Sequence, residues 1–267
     1  MKNVITVWKE LLANRERIFR LARYEQRAKN SGTILGRLWE FLTPVLQICV
    51  YWFVFSVGLR MKTVQGDTPY AVGMMTGMIP WFCLSGAMLS SATAITSASN
   101  VIRNLNIPMT IIPAKSIVMH LMEHLWTLGF LLFVLIVSGI QVTLYWLQIL
   151  YFFFCMVIFM VAFSLFSSSV GTAVKDFGRI LSPLIRLLFY LSSVIMSLDG
   201  MSPFLQKLLK INPITYIVMG YRNSLLYQVG VWEMGWHSLC FWLVTLVLMF
   251  LGCTLHMRTR ERFVDML

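Results

Sequence analysis

The sequence predicts an all-α integral membrane protein. It is expected to have six transmembrane helices, an N-terminal amphipathic interfacial helix, and extracellular re-entrant helices before the last span, with both termini cytoplasmic. Three observations predict this. Hydrophobic residues make up 58% of the 267 and charged residues only 12%, whereas soluble domains carry about 25% charged and 45–50% apolar residues. Charge-free stretches recur at lengths that suit a bilayer, which needs about 20 apolar residues per helix. The lysines and arginines, which leave a net charge of +11, gather on one side of those stretches. This pattern excludes a secreted disulfide scaffold, a disordered chain and most soluble enzymes. Membrane topology accounts for the basic balance, so no nucleic-acid partner is expected.

Residues 1–40 form the first unit, a cytoplasmic or interfacial amphipathic helix. Val4, Trp8, Leu11, Leu12, Ile18, Phe19 and Ala22 recur near helical spacing, with Arg15, Arg17, Arg20, Arg23, Arg27 and Lys29 among them. Such a helix lies flat in the headgroup layer. One reading is a plain topology anchor. The other is that some arginines hold an anionic lipid head, because a guanidinium fork can bond two phosphate oxygens at once. Arg23 and Arg37, nearest the entry to the first span, are the candidates. No secretory signal peptide is expected, since the first long apolar run starts only at Phe41.

Residues 41–267 form the transmembrane domain, with spans near 41–59, 70–92, 114–138, 146–167, 180–198 and 236–256. Residues 68–102 are uncharged but too many for one span. The small, hydroxylated end of this stretch, residues 90–99, lines a wet route or packs helices. The third span must begin near Ala114, which places His120, Glu123 and His124 inside the membrane. The fifth span contains Arg186, a possible partner for Glu123. The run 211–221 is too short to cross and reads as re-entrant or interfacial. Six spans put 17 of the 22 lysines and arginines on the side of both termini. By the positive-inside rule that side is the cytoplasm.

His120-Leu-Met-Glu123-His124 matches the H-x-x-E-H pattern of a class of zinc peptidases. A catalytic zinc normally takes three protein ligands, and the candidates for a third (His237, His256, Asp176) are poorly placed. A polar cluster facing other helices is the better reading, and no metal is expected. Gly73-Met-Met-Thr-Gly77 is a GxxxG, which suits close helix packing or dimerisation. Trp39, Trp81, Trp146 and Trp236 are expected as interface anchors. Cys49, Cys83, Cys155, Cys240 and Cys253 form no CxxC pair and read as small core hydrophobes. No glycine precedes a lysine, so a phosphate-binding GxxxxGK[ST] loop is absent from the sequence. No cofactor and no catalytic site are expected in this chain.

Several landmarks fall in one order. They are Leu35-Gly36-Arg37-Leu38-Trp39 with Pro44, Gly77-Met-Ile-Pro80-Trp81, Val101-Ile-Arg-Asn-Leu-Asn-Ile-Pro108 with Pro113, Lys175-Asp176, Asn212-Pro-Ile-Thr215, and Tyr221-Arg222. In this order the chain resembles the membrane subunit of ABC-2 type polysaccharide exporters over nearly its whole length. Within that family, Pro44-Val-Leu-Gln47 and Tyr51-Trp-Phe-Val-Phe55 are most similar to the wall teichoic acid permeases of Gram-positive bacteria. The resemblance implies the permease subunit of an ABC transporter in the cell membrane, exporting a teichoic acid carried on undecaprenyl diphosphate. The alternative cargo is O-antigen or capsular polysaccharide. It implies a homodimer joined to two copies of a separate ATP-binding subunit, which would hold the ATP and magnesium. It implies that Arg103, Asn104, Leu105, Asn106, Ile107 and Pro108 form a coupling helix on that ATPase. Lys175 and Asp176 would make a second contact. Asn212, Pro213, Tyr216 and Arg222 would lie in an extracellular re-entrant element. One departure is that Asn106 and Ile107 stand where relatives often carry a lysine and an aromatic residue.

Overall fold

The computed structural model describes residues 2–60, 68–98, 108–174, 176–195 and 202–260, apart from the side chains of Asn30 and Pro203. The chain opens with α1 (Lys2–Ala13) and α2 (Arg15–Asn30), divided at Asn14. The Asn14 side chain donates to the Glu10 carbonyl, a local bond of the kind that competes with helix continuation. Only part of the apolar stripe faces outward. Val7, Ile18 and Ala22 are buried, and Ile18 packs on Ile111 and Ala114. Leu12, Phe19 and Tyr24 remain exposed. Thus α2 runs alongside a membrane helix and buries part of its apolar face on protein.

Among the described residues, five helical stretches are long and apolar enough to cross a membrane: Leu38–Gly58, Tyr70–Ser97, Ile111–Val137, Leu144–Ala173 and Val231–Thr259. The first is α3 (Leu38–Trp52) continued by a wider π turn, Phe53–Gly58. The next two are α4 (Tyr70–Ser97) and α5 (Ile111–Val137). After α6 (Gln148–Ala173), α7 (Phe177–Leu191), α8 (Pro203–Lys210) and α9 (Pro213–Arg222), α10 (Gly235–Thr259) closes the bundle. In α4, 78% of the apolar window is buried, against 6% in Leu38–Gly58. Thus α4 is the central post, and α3 leans against it from outside.

The fifth expected span is α7. Its 15 residues reach only about 22 Å at 1.5 Å per residue, short of a hydrocarbon core about 30 Å thick. Together with the turn that follows it, up to Ile195, it nonetheless reaches both ends of α4. Gly178 sits beside Thr93, and the Ile195 carbonyl lies 3.5 Å from the Tyr70 hydroxyl.

Close helix contact accounts for the small residues of α4. A Cβ on Gly171 of α6 would lie 1.9 Å from the Ala92 carbonyl oxygen, so only a glycine permits this approach. Ser91, Ala92, Ala94 and Ile95 are buried. Within residues 90–98 the buried side chains pack against neighbouring helices, while Thr93, Thr96 and Ser97 are exposed.

Asn212 starts α9 by accepting a hydrogen bond from the Ile214 amide at 3.0 Å, with Pro213 in the first turn. From Ile214 to Arg222 every residue but Met219 is buried. The Tyr221 hydroxyl lies 2.9 Å from His124 Nε2, halfway along α5, so this short helix reaches the middle of the bundle.

Candidate functional site

Two hollows follow α3 in sequence order. The first, of about 970 Å³, lies between α2, the entry to α3 and one face of α5. Arg23, Arg27 and Arg37 line it, together with Gln26, Glu40, Phe19, Phe41, Leu125 and Trp126. Gln26 donates to Glu40 at 2.8 Å and so joins α2 to α3. The Arg23 guanidinium carbon stands 4.3 Å from the centroid of the Phe19 ring, a cation–π arrangement. The two arginines singled out in the sequence therefore share one cavity, with a third beside them.

The second hollow, of about 990 Å³, begins at Pro44, within one turn of Phe41 along α3, and lies between α3, α4, α5 and α7. Its polar lining includes Gln47, Ser85, Ser182, His120, Glu123 and Arg186. Its aromatic lining includes Tyr51, Trp81, Phe82, Phe189 and Tyr190. Phe189 joins these rings, lying 5.1 Å from Tyr51 and 5.4 Å from Trp81. Trp81 is thus corrected from interface anchor to buried wall, because α4 is surrounded by other helices. Polar hydrogen-bonding groups beside flat aromatic faces suit hydroxylated ligands.

Residues 16–226 match the ABC-2 type transporter family. The chain belongs to that family. Its members are the membrane-spanning subunits of ABC transporters. The O-antigen export system permease protein of Klebsiella pneumoniae is 22% identical over 242 residues, covering 90% of this chain and 91% of that protein. The corresponding protein of Myxococcus xanthus is 24% identical over 223 residues, covering 82% and 84%. The polysialic acid transport protein of Escherichia coli is 24% identical over 232 residues, covering 85% and 86%. None of these names mentions teichoic acid, and the closer likeness to permeases of Gram-positive bacteria finds no support in them.

In this ABC-2 chain the H-x-x-E-H residues divide between two environments. Glu123 accepts from Lys29 of α2 at 3.2 Å and faces His120 Nδ1 at 3.2 Å. His120 Nε2 continues to Ser90, which accepts from Ser116. His124 turns away to Tyr221 and stacks on Phe153. The partner of Glu123 is therefore Lys29 and not Arg186. Arg186 lines the groove and has no ion-pair partner among the described residues. With the two histidines directed apart and no group of three ligand side chains among the described residues, this geometry disfavours the zinc-peptidase reading.

Arg222 is 3% exposed yet carries no carboxylate partner among the described residues. Its guanidinium donates to the carbonyls of Gly73 (3.0 Å from Nε), Ser193 and Val194. A Cβ on Gly77 would lie 2.7 Å from its Nη2. The GxxxG of α4 thus seats a guanidinium, clasping α9 to α4 and to the turn after α7. Tyr216 donates or accepts at Ser238 (2.8 Å) and Tyr151 (3.2 Å).

A further cluster at the opposite end was not legible in the sequence. Glu10 accepts from Thr110 at 2.7 Å and from Arg260 at 2.6 Å. His256 Nε2 lies 3.4 Å from Thr110, and its Nδ1 lies 3.4 Å from Ser169. Burial alone would raise the Glu10 pKa, but the bonds from Thr110 and Arg260 outweigh it and hold the carboxyl below its ordinary range. This cluster joins α1 to the start of α5 and to the ends of α6 and α10. Arg103, Asn104, Leu105, Asn106, Ile107 and Lys175 lie outside the described residues. Pro108 begins the turn into α5, and its carbonyl accepts from Ile111. Asp176 is exposed and pairs with Arg179 at 3.2 Å.

Proposed function

We propose that this ABC-2 permease subunit exports a polysaccharide of the O-antigen or capsule class, borne on a lipid diphosphate. The observation that carries the reading is the arginine cavity at the entry to α3, followed along the same helix by a polar and aromatic groove. Arg23 and Arg37 bond the diphosphate oxygens, while the lipid tail stays in the bilayer beside the exposed face of α3. Sugar hydroxyls meet Gln47, Ser85 and Ser182, and the C–H faces of the rings lie on Tyr51, Trp81 and Phe189. The names of the relatives favour this cargo class over teichoic acid.

The chain crosses the membrane six times, α7 being the short fifth crossing, with both termini cytoplasmic and α9 re-entrant from outside. A second copy closes the open groove. Two copies of a separate ATP-binding subunit drive the cycle through residues 103–108 and 175–176. An Arg103→Glu variant is expected to uncouple ATP hydrolysis from export. The deciding experiment reconstitutes the permease with its ATPase and presents O-antigen, capsular and teichoic polymers on undecaprenyl diphosphate. ATP-dependent movement of the first or second supports the reading. Movement of teichoic acid alone, or of none, overturns it.

A further inference from the structure

The two hollows are separated by a wall with a charge on it. Along α5, Met122, Leu125 and Trp126 face the arginine cavity, whereas His120 and Glu123 face the groove. Among the described residues, two ion pairs hold α2 to this helix. Glu25 meets Lys115 at 2.6 Å near the start of α5, and Lys29 meets Glu123 at 3.2 Å within the wall itself. The Lys29 side chain is 54% exposed, against 21% for Glu123. It stands one turn beyond Gln26, a lining residue of the arginine cavity. The second oxygen of Glu123 is held by His120, so the carboxylate keeps a partner if the lysine leaves.

We propose that Lys29 and Glu123 form a latch between the two compartments, released by a diphosphate in the arginine cavity. The inference rests on the lipid-diphosphate reading above. A partly exposed ion pair is weak. A lysine head is a point charge on a flexible four-carbon stem. A diphosphate carries more negative charge than the single carboxylate and draws the ammonium toward Arg23, Arg27 and Arg37. An anion that binds the unlatched state better shifts the population toward it. With Lys29 withdrawn, the end of α2 is freed from the wall, and the way along α3 opens from cavity to groove.

The test uses the permease–ATPase complex in phosphatidylcholine vesicles, with farnesyl diphosphate as probe. The groove is reported by the rate at which Ser85→Cys reacts with a thiol reagent, in a background carrying Cys49→Ser. With the native pair, the probe accelerates labelling several-fold. In Lys29→Met, labelling is fast with or without the probe. In the charge exchange Lys29→Glu with Glu123→Lys, the pair is kept but position 29 repels the anion, so labelling stays slow and the probe has no effect. A structural tie alone would make the exchange behave like the native pair, and that result overturns the latch. Slow labelling in Lys29→Met also overturns it, and this variant decides the matter should the exchange fail to assemble. Labelling of the native complex that is indifferent to farnesyl diphosphate overturns the latch, and ATPase activity that is also unstimulated by it overturns the lipid-head reading. Inorganic pyrophosphate is run in parallel. An equal response to it supports a latch triggered by the anion alone, and a response confined to farnesyl diphosphate supports one triggered by the lipid-borne head.

Discussion

A methyl group at position 77 would lie 2.6 Å from the Val194 carbonyl oxygen and 2.7 Å from Arg222 Nη2. Gly77→Ala must therefore displace a buried guanidinium or the backbone it binds. The expected cost is about 1–3 kcal/mol, seen as a lower melting temperature in detergent. Gly129→Ala, where nothing lies within 4 Å, should leave the melting temperature unchanged or slightly raised. The GxxxG was visible in the sequence, but its occupant was not, since Arg222 belongs to a helix far along the chain. At the other end, Glu10 makes a pH prediction. Its folded pKa is lowered, so the carboxylate stabilises the fold above the ordinary glutamate value of about 4.3. That contribution is lost as pH falls through the lowered value. Glu10→Gln should melt below the native protein at neutral pH, and the gap should close on acidification. A gap independent of pH would show that charge on Glu10 is not the cause.

The element that most depends on its cap is α9. Asn212 both accepts from the Ile214 amide and donates to Ser192 Oγ at 2.8 Å. Asn212→Ala should cost about 1 kcal/mol for the cap, with a further loss for the link to the turn after α7. Faster tryptic cleavage at Lys207 and Lys210, on the neighbouring α8, would register the loosening. Unaltered cleavage would place α9 under the control of its apolar burial alone. The length of the apolar run 211–221 disclosed that it was too short to cross. It could not disclose that the run is buried nearly all round, because burial depends on what α4, α5 and α6 leave open. The same holds for α2, whose stripe reads as lipid-facing until Ile111 and Ala114 are seen against Ile18.

Across the whole molecule, the arrangement of charge tests the proposed entry site. Arg23→Gln combined with Arg37→Gln should raise the farnesyl diphosphate concentration for half-maximal ATPase stimulation by at least about tenfold, since hydrogen bonds to charged groups contribute about 1.5–3 kcal/mol each. The response should also lose sensitivity to salt. Native-like stimulation in the double variant would remove both residues from the site. Arg23 and Arg37 were legible as candidates because guanidinium chemistry and position beside the first span suffice to nominate them. Lys29 as the partner of Glu123 was not, because the pairing joins residues 94 positions apart. By itself the sequence determined the membrane class and, among the described residues, the five apolar stretches long enough to cross a bilayer. These follow from hydropathy and from the need to satisfy backbone hydrogen bonds within each helix in lipid. Only the tertiary structure decided which polar groups meet, which glycine seats which side chain, and which face of each helix borders a hollow. Those outcomes depend on the rotation and depth of neighbouring helices, and local pattern does not encode either one.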